Sequence, residues 1–185
     1  SVLALKGPRT RIVDLKGRAA APGLHDGHTD FFTGALSWDQ VDLTEATSIK
    51  EIQKRLLDFT ARNTTGGWIL GRGWDQGAFE GRLPTHADID VVISSRPVAL
   101  MDAEGKQLWL NKSAMRRAKV ASFSPNLVGT GIVRDAQKNP TGILLKDAMG
   151  LVTHVIPKIS RNDKLAALRR AMALVRQSGV TAVDS

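Results

Sequence analysis

Apolar residues recur every three or four positions in two segments of the chain, and this spacing predicts two amphipathic helices. The first should begin after Ser48, which forms a capping box with Glu51, and end near Asn63. The second should begin after Ser160 and end at Gly179, because glycine tolerates the left-handed conformation at a helix end. The apolar stripes are Ile49, Ile52, Leu56 and Phe59 in the first helix and Leu165, Leu168, Met172 and Val175 in the second.

Short apolar runs between polar or glycine-rich turns predict the strands. Two such runs, at residues 10–15 and 19–24, lie near the start of the chain, and another, at 180–183, directly follows the second helix. A helix that ends in glycine and leads into an apolar strand is typical of a βα repeat, so the sequence predicts an α/β fold. Further strands are predicted at 68–70, 97–101 and 132–134, a turn at 140–142, and further helices from Thr85, from Asn111 to about Ala118, and at 143–155.

Composition and charge exclude several classes of function. The 185 residues include no cysteine, which excludes disulfides, zinc–thiolate sites and a cysteine nucleophile and fits a cytoplasmic protein. No segment approaches the roughly 20 apolar residues of a membrane helix, and the first residues lack the pattern of a signal peptide. Lys and Arg outnumber Asp and Glu by 26 to 18, but without interleaved aromatic residues this excess favours solvated helix faces over nucleic-acid binding.

The strongest chemical signal in the residues themselves is a histidine and an aspartate two positions apart. His28 and Asp30 follow the apolar run at 19–24, and residues at i and i+2 of an extended segment point to the same side. An imidazole and a carboxylate on one side can bind one divalent metal ion. The alternative is a solvated loop, and the neighbouring His25 and Asp26 leave open which residues are ligands.

A glycine-rich segment at residues 71–77 lacks the lysine of a phosphate-binding loop. It is therefore predicted to be a tight turn between Trp68 and Trp74. Polar residues up to Lys106 follow the strand predicted at 97–101 and could reach a ligand, and the alternative is again a solvated loop.

Four blocks in order resemble the amidohydrolase superfamily, specifically its YtcJ-like branch, which includes N-substituted formamide deformylases. The first block, 14–28, contains Pro22-Gly23-Leu24-His25-Asp26-Gly27-His28 and is similar to the segment that enters the first barrel strand. The others are Trp68–Asp75, Leu108–Ala114 and Pro140–Leu144. Any one block alone would be weak, but four in this order are specific.

The resemblance implies part of a (β/α)₈ barrel with a small β-sandwich, and a metal at the C-terminal mouth of the barrel. Residues 1–22 would belong to the sandwich, 23–46 to the first barrel strand and the metal-motif loop, 47–159 to an inserted α/β lobe, and 160–185 to a helix and the second barrel strand. The metal, expected to be zinc, would activate water to attack the C–N carbon of a small amide-type substrate. The alternative is a non-catalytic remnant that acts as a binding or structural module.

Residue by residue, the resemblance suggests His28, Asp30 and Lys146 as metal ligands. The His-x-His of the family is here His28-Thr29-Asp30. Relatives often carry glutamate where this chain has Lys146, and some amidohydrolases bridge two metals with a carboxylated lysine. Lys146 is predicted either to act in that way or to be a surface lysine.

Trp74, Asp75 and Lys106 are predicted to bind the substrate, although the Asp-Gly-His block of the family reads Glu104-Gly105-Lys106 here. The lobe should have its own core, built on Trp68, Trp74 and Trp109. Because so few ligands are available and the strand at 180–183 would form an open edge, the 185 residues should hydrolyse poorly and either self-associate or need a partner chain that completes the barrel.

Overall fold

The computed structural model describes residues 2–64, 66–120 and 131–184, which form eight strands and six α-helices. The strands are β1 (Leu24–Asp26), β2 (Val41–Asp42), β3 (Ile69–Trp74), β4 (Val98–Asp102), β5 (Gln107–Leu110), β6 (Ile132–Arg134), β7 (Pro140–Leu145) and β8 (Val180–Val183). The helices are α1 (Phe31–Ser37), α2 (Ile49–Arg62), α3 (His86–Asp90), α4 (Lys112–Arg117), α5 (Gly150–Thr153) and α6 (Arg161–Gln177). Short 3₁₀ turns cover Val2–Leu5, Gln76–Phe79 and Lys146–Met149. None of the described helices is both long and apolar enough to cross a membrane.

The strands form two separate sheets. Six of them make a mixed sheet in the order β2-β3-β4-β5-β7-β6, in which β2, β3 and β4 are parallel and the other pairs are antiparallel. The remaining two, β1 and β8, pair in parallel. The described residues therefore fold as a mixed α/β protein.

The six-stranded sheet has a hydrophobic core on each face. Alternate residues of a strand point to opposite faces, and in β5 Trp109 belongs to one core whereas Leu108 and Leu110 belong to the other. Helices α2 and α3 contribute to the Trp109 core, and α4 and α5 contribute to the second core. In the first core, the rings of Trp74, Phe79 and Trp109 meet edge to face, with centroids 5.2–5.8 Å apart.

Helices α1 and α6 pack against each other beside the two-stranded sheet. Ala35 of α1 and Ala167 and Ala171 of α6 form a small apolar cluster, and small residues allow a close approach of two helices. Arg170 of α6 donates two hydrogen bonds to Asp39, at 2.7 and 2.8 Å. This packing holds the segment after β1 against the helix that leads into β8.

Both long helices begin where the sequence predicts. The side chain of Ser48 accepts a hydrogen bond from the Glu51 amide at the start of α2, and that of Ser160 accepts one from the Asp163 amide at the start of α6. The strand predicted at 180–183 is also present, as β8. These three predictions are confirmed.

Several predictions for the strands and turns are wrong. The run at 10–15 has no regular structure, and Ile12 and Val13 are 59% and 64% exposed, so no strand among the described residues pairs with it. The run at 19–24 contributes only Leu24 to β1. Strand β3 continues through part of the predicted glycine-rich turn and ends at Trp74.

The helix predicted at 143–155 and the turn predicted at 140–142 are also wrong, because residues 140–145 form β7 and only 150–153 are α-helical. Gly142 permits this strand: its φ is 106°, and a Cβ there would lie 2.6 Å from the carbonyl oxygen of Leu110. The glycine therefore lets β7 lie close to β5 at a residue where a side chain would clash.

The six-stranded sheet includes β2, so it begins before residue 47. The domain boundaries suggested by the resemblance stay predictions, and residues 121–130 of the proposed lobe lie outside the described residues. Of the three tryptophans predicted as anchors, Trp74 and Trp109 are buried, and Trp68 is half-buried against the second core.

Candidate metal and substrate site

The parallel pairing of β1 and β8 brings the carboxyl ends of both strands to the same edge. Leu24 is opposite Val180, and Asp26 is opposite Val183. Beyond the strands, the Thr29 amide donates to the carbonyl oxygen of Asp184 (3.1 Å), and the Asp184 amide donates to that of Asp26 (2.9 Å). Active sites of parallel α/β folds lie at this edge, because loops from neighbouring strands converge there.

A surface cavity lies at this edge, lined by Gly27, His28, Thr29, Asp30 and Asp184. The backbone amide of His28 donates to the Asp26 carboxylate (3.2 Å), which fixes the turn after β1. Both side chains of the predicted pair, His28 and Asp30, are exposed and line the same cavity. The structure therefore brings these two residues together.

Asp30 also precedes α1, but its carboxylate makes no capping hydrogen bond within the described part of the chain. The helix therefore does not occupy the carboxylate oxygens, which stay available to a ligand. Imidazole nitrogen and carboxylate oxygen are donors that zinc and other divalent metals accept. The donor types at the cavity thus fit such a metal.

The donors at the cavity are not grouped as closely as a catalytic metal requires. A catalytic zinc usually has three protein ligands and one open position. Across residues 2–64, 66–120 and 131–184, no three His, Cys, Asp or Glu side chains are grouped closely enough to hold a metal ion. The cavity is therefore an incomplete metal site in the described chain.

Asp184 is a residue of this cavity that the sequence analysis did not identify. It follows β8 directly, as His28 and Asp30 follow β1. The helix–glycine–strand pattern predicts β8 itself. A polar residue directly after a parallel strand lies at the same sheet edge as the residues that follow the neighbouring strand. The Asp184 carboxylate is a third donor group at the cavity, although as placed the three donors are not close enough together to share one metal ion.

Lys146 does not line the His28 cavity. It follows β7, in the six-stranded sheet, and its side chain is exposed. Its backbone is left-handed, with φ 50°, at the point where the strand changes into a 3₁₀ turn. Its role as a metal ligand stays a prediction, and the structure does not place it with His28 and Asp30.

Trp74, Asp75 and Lys106, the predicted substrate-binding residues, lie along one edge of the six-stranded sheet. Strand β3 ends at Trp74, which is opposite Asp102 at the end of β4, and Lys106 ends the turn that follows β4. Trp74 is only 1% exposed, and its indole N–H donates to the carbonyl oxygen of Leu100 (2.9 Å). As placed, Trp74 is a core residue that supports this edge.

The charged residues of this edge are exposed. The Asp75 carboxylate accepts a hydrogen bond from the Gly77 amide (2.7 Å). The Lys106 ammonium donates to Glu104 (2.6 Å), and this hydrogen bond raises the pKa of Lys106. A protonated lysine has no lone pair for a metal, so Lys106 can contact an anionic or carbonyl oxygen but cannot replace a histidine ligand.

Asp102 holds the turn that presents Lys106. It is nearly buried, and one of its carboxylate oxygens accepts hydrogen bonds from the amides of Lys106 (2.7 Å) and Gln107 (2.9 Å). Asp102 is therefore structural in this arrangement.

Comparison with known families and proteins gives a consistent result. A family model described as "Amidohydrolase family" matches residues 11–185. Protein LONG AFTER FAR-RED 3 of Arabidopsis thaliana is 35% identical over 177 residues, which cover 96% of this chain and 30% of that protein. The putative amidohydrolase YtcJ of Bacillus subtilis is 28% identical over 176 residues, covering 94% and 33%. The N-substituted formamide deformylase of Arthrobacter pascens is 26% identical over 148 residues, covering 78% and 27%.

Two solved structures have a similar fold. They are uncharacterized metal-dependent hydrolases from Pyrococcus horikoshii OT3 and Pyrococcus furiosus, each with a TM-score of 0.60 and with 24% and 25% identity. The similarity covers 88% of this chain and 30% and 31% of theirs. The chain therefore spans about a third of the length of the relatives that it matches.

Proposed function

The chain belongs to the amidohydrolase family, and on this basis we propose that it is part of a metal-dependent hydrolase that cleaves C–N bonds in small amide-type substrates. The observation that carries the proposal is the position of His28 and Asp30 at the carboxyl edge of a parallel strand pair. An imidazole and a carboxylate at that edge are the expected start of a metal centre.

For the fold, we propose that β1 and β8 are the first two strands of a (β/α)₈ barrel and that the six-stranded sheet is a lobe inserted between them. The parallel pairing of β1 with β8 and the packing of α6 against α1 support this arrangement. The further strands would belong to the additional length of the relatives, of which this chain covers about a third.

For the metal centre, we propose that His28 and Asp30 hold a divalent ion, most simply zinc, and that Asp184 contributes at the same cavity. When bound, such an ion lowers the pKa of water and so supplies a nucleophile near neutral pH. Hydrogen bonds position the segments that follow β1 and β8. The His28 amide donates to the Asp26 carboxylate, and backbone hydrogen bonds join Asp184 to Asp26 and Thr29. Further ligands would come from later barrel strands.

For the substrate, we assign contacts on the lobe to Asp75 and Lys106, whose charged groups are exposed at one edge of the sheet. Trp74 would act indirectly, since it anchors the end of β3 in the core directly before Asp75. The lysine is a cation and suits an oxygen-bearing group of the substrate.

Metal analysis tests the ligand assignment. Protein purified without chelator should bind zinc, and H28A and D30A should each weaken zinc binding at least about tenfold, because even loss of a residue that only supports a ligand has an effect of that size. The measurement is zinc affinity by competition with a chromophoric chelator, together with metal content by mass spectrometry.

The control variant is H154A, which removes an exposed histidine on a different element and should leave zinc affinity unchanged. Equal weakening in H154A and H28A would show that binding is nonspecific. Failure of the unmodified chain to bind any divalent metal would contradict the proposal that His28 and Asp30 bind zinc in these 185 residues.

The 185-residue chain by itself should hydrolyse N-formyl and N-acyl amines poorly even with added zinc. The three donors at the cavity are not grouped closely enough to hold a catalytic metal, and a metal that is poorly held activates water poorly.

The chain should also self-associate. Among the described residues, β8 has an open sheet edge beside Met172, which is 59% exposed. An assay on both amine classes, with light scattering of the same sample, checks both expectations; fast turnover by a monomer would contradict them.

A further inference from the structure

A second surface cavity lies on the six-stranded lobe and is unrelated to the His28 cavity. Its lining includes His86 at the start of α3, Met115 and two cationic residues of α4, Lys119 just beyond α4, and Asp135 from the turn after β6. None of these residues belongs to the metal or substrate assignments above. We name this cavity the α4 pocket.

Three basic residues line the α4 pocket, two of them on α4 and one just beyond it. Lys112, Met115 and Arg116 follow the spacing i, i+3 and i+4, which places side chains on one face of a helix. Lys119 lies beyond the C-cap of α4, where its backbone is left-handed with φ 53°, and it also lines the pocket. Arg117 lies off this face of α4 and does not line the pocket.

Among the described residues, these three cations have no acidic partner, because none of the ion pairs there includes Lys112, Arg116 or Lys119. Lys112 is four residues from Arg116 on α4, and like charges at this spacing repel each other. An anion in the pocket would offset this repulsion.

The two carboxylates near the α4 pocket are already engaged. Asp90 lies 2.9 Å from Nδ1 of His86, and its other oxygen accepts the Lys112 amide at 3.1 Å, so it ties α3 to the start of α4. Asp135 lines the pocket and accepts the Asn139 amide at 2.8 Å. Three basic side chains therefore face one lining carboxylate, and the described lining of the pocket carries a net positive charge.

We propose that the α4 pocket binds the phosphate group of a small phosphorylated molecule, held by Lys112, Arg116 and Lys119. The planar guanidinium of Arg116 can donate two parallel hydrogen bonds to a phosphate, and the lysines add flexible point charges. Met115 gives the carbon part of the ligand an apolar contact. Among the described lining residues there is no Phe, Tyr or Trp ring on which a base could stack, and the His86 imidazole is paired with Asp90, which favours a small ligand over single-stranded nucleic acid. This inference is independent of the proposed hydrolase function.

An NMR titration with inorganic phosphate tests the proposal, with chloride at the same ionic strength as the reference. The amide resonances of residues 112–119 should shift and saturate as phosphate is added. R116Q and K112Q should each weaken the affinity about tenfold, because each removes a charge-assisted interaction with the anion. R117Q removes the same charge from the same helix outside the pocket and should change the affinity less than about twofold.

All three variants alter exposed side chains, so their spectra should otherwise match that of the unmodified chain. Shifts that do not saturate, or that spread over the whole surface, would overturn the proposal. Equal weakening in R116Q and R117Q would also overturn it, because general attraction by the net charge of +8 would then explain the binding. A short single-stranded oligonucleotide that binds more tightly than phosphate and loses affinity equally in all three variants would identify a nucleic-acid surface instead.

Discussion

Replacement of Trp109 by alanine should lower the free energy of unfolding by about 3–5 kcal/mol, the range for removing a large aromatic side chain from a core. Trp109 has no exposed surface, and its ring contacts Trp74 and Phe79 edge to face. Its indole N–H donates to the carbonyl oxygen of Thr85 at 2.8 Å, which connects β5 to the start of α3. The alanine variant would lose these contacts and leave a cavity between sheet and helices.

Urea unfolding followed by circular dichroism measures this loss of stability. Two further variants show how much of it comes from the indole N–H and how much from burial. W109F keeps an aromatic ring but no N–H donor, so it should have an intermediate stability. W38A removes an indole that is 47% exposed and should lower the free energy of unfolding by less than about 1 kcal/mol. If W109A and W38A had equal effects, the core would not be centred on the three aromatic rings.

Elements that depend on neighbouring residues could be predicted from the sequence. Helices α2 and α6 begin at Ser48 and Ser160 because the capping contacts join residues only three positions apart. Strand β7 could not be predicted in this way. The apolar run at 143–145 fits a helix or a buried strand, and its pairing with residues 107–109 of β5 decides between them.

The same distinction applies to the candidate site. His28 and Asp30 could be predicted as a pair because they are two residues apart, and both line one cavity. Asp184 reaches that cavity only because β8 pairs with β1, a contact between distant parts of the chain that no local pattern specifies. Lys146 is suggested by the resemblance alone, and it does not line the cavity because it follows β7 in the other sheet.

The block Leu108–Ala114 carries part of the resemblance to the family, and the structure gives a physical reason for several residues of this block. Leu108 and Trp109 fill opposite cores, and the Ser113 hydroxyl donates to the carbonyl oxygen of Ser95 at 3.3 Å. Asn111 of the same block is polar and fully buried. It is therefore the second position at which a single substitution should have a large effect.

Replacement of Asn111 by alanine should lower the free energy of unfolding by at least about 3 kcal/mol, since each buried group left without a partner costs about 1–3 kcal/mol. The Asn111 carbonyl oxygen accepts from the amides of Val98 (3.0 Å) and Ala114 (2.9 Å). Its amide group donates to the carbonyl oxygens of Ile93 and Arg96, both at 2.8 Å. One side chain thus caps α4, pairs with the first residue of β4 and fixes the loop before it.

The aspartate variant separates the two halves of this network in the same urea experiment. N111D keeps an acceptor for Val98 and Ala114 but turns a buried negative charge towards two carbonyl oxygens, so it should be about as unstable as N111A at neutral pH. As the pH falls and the carboxyl is protonated, it becomes a donor, and N111D should regain stability relative to N111A. N162A, which removes an exposed asparagine from α6, should change stability by less than about 0.5 kcal/mol. If N111A lost no more stability than N162A, water would have to replace all four hydrogen bonds of Asn111. That result would contradict the full burial of this side chain.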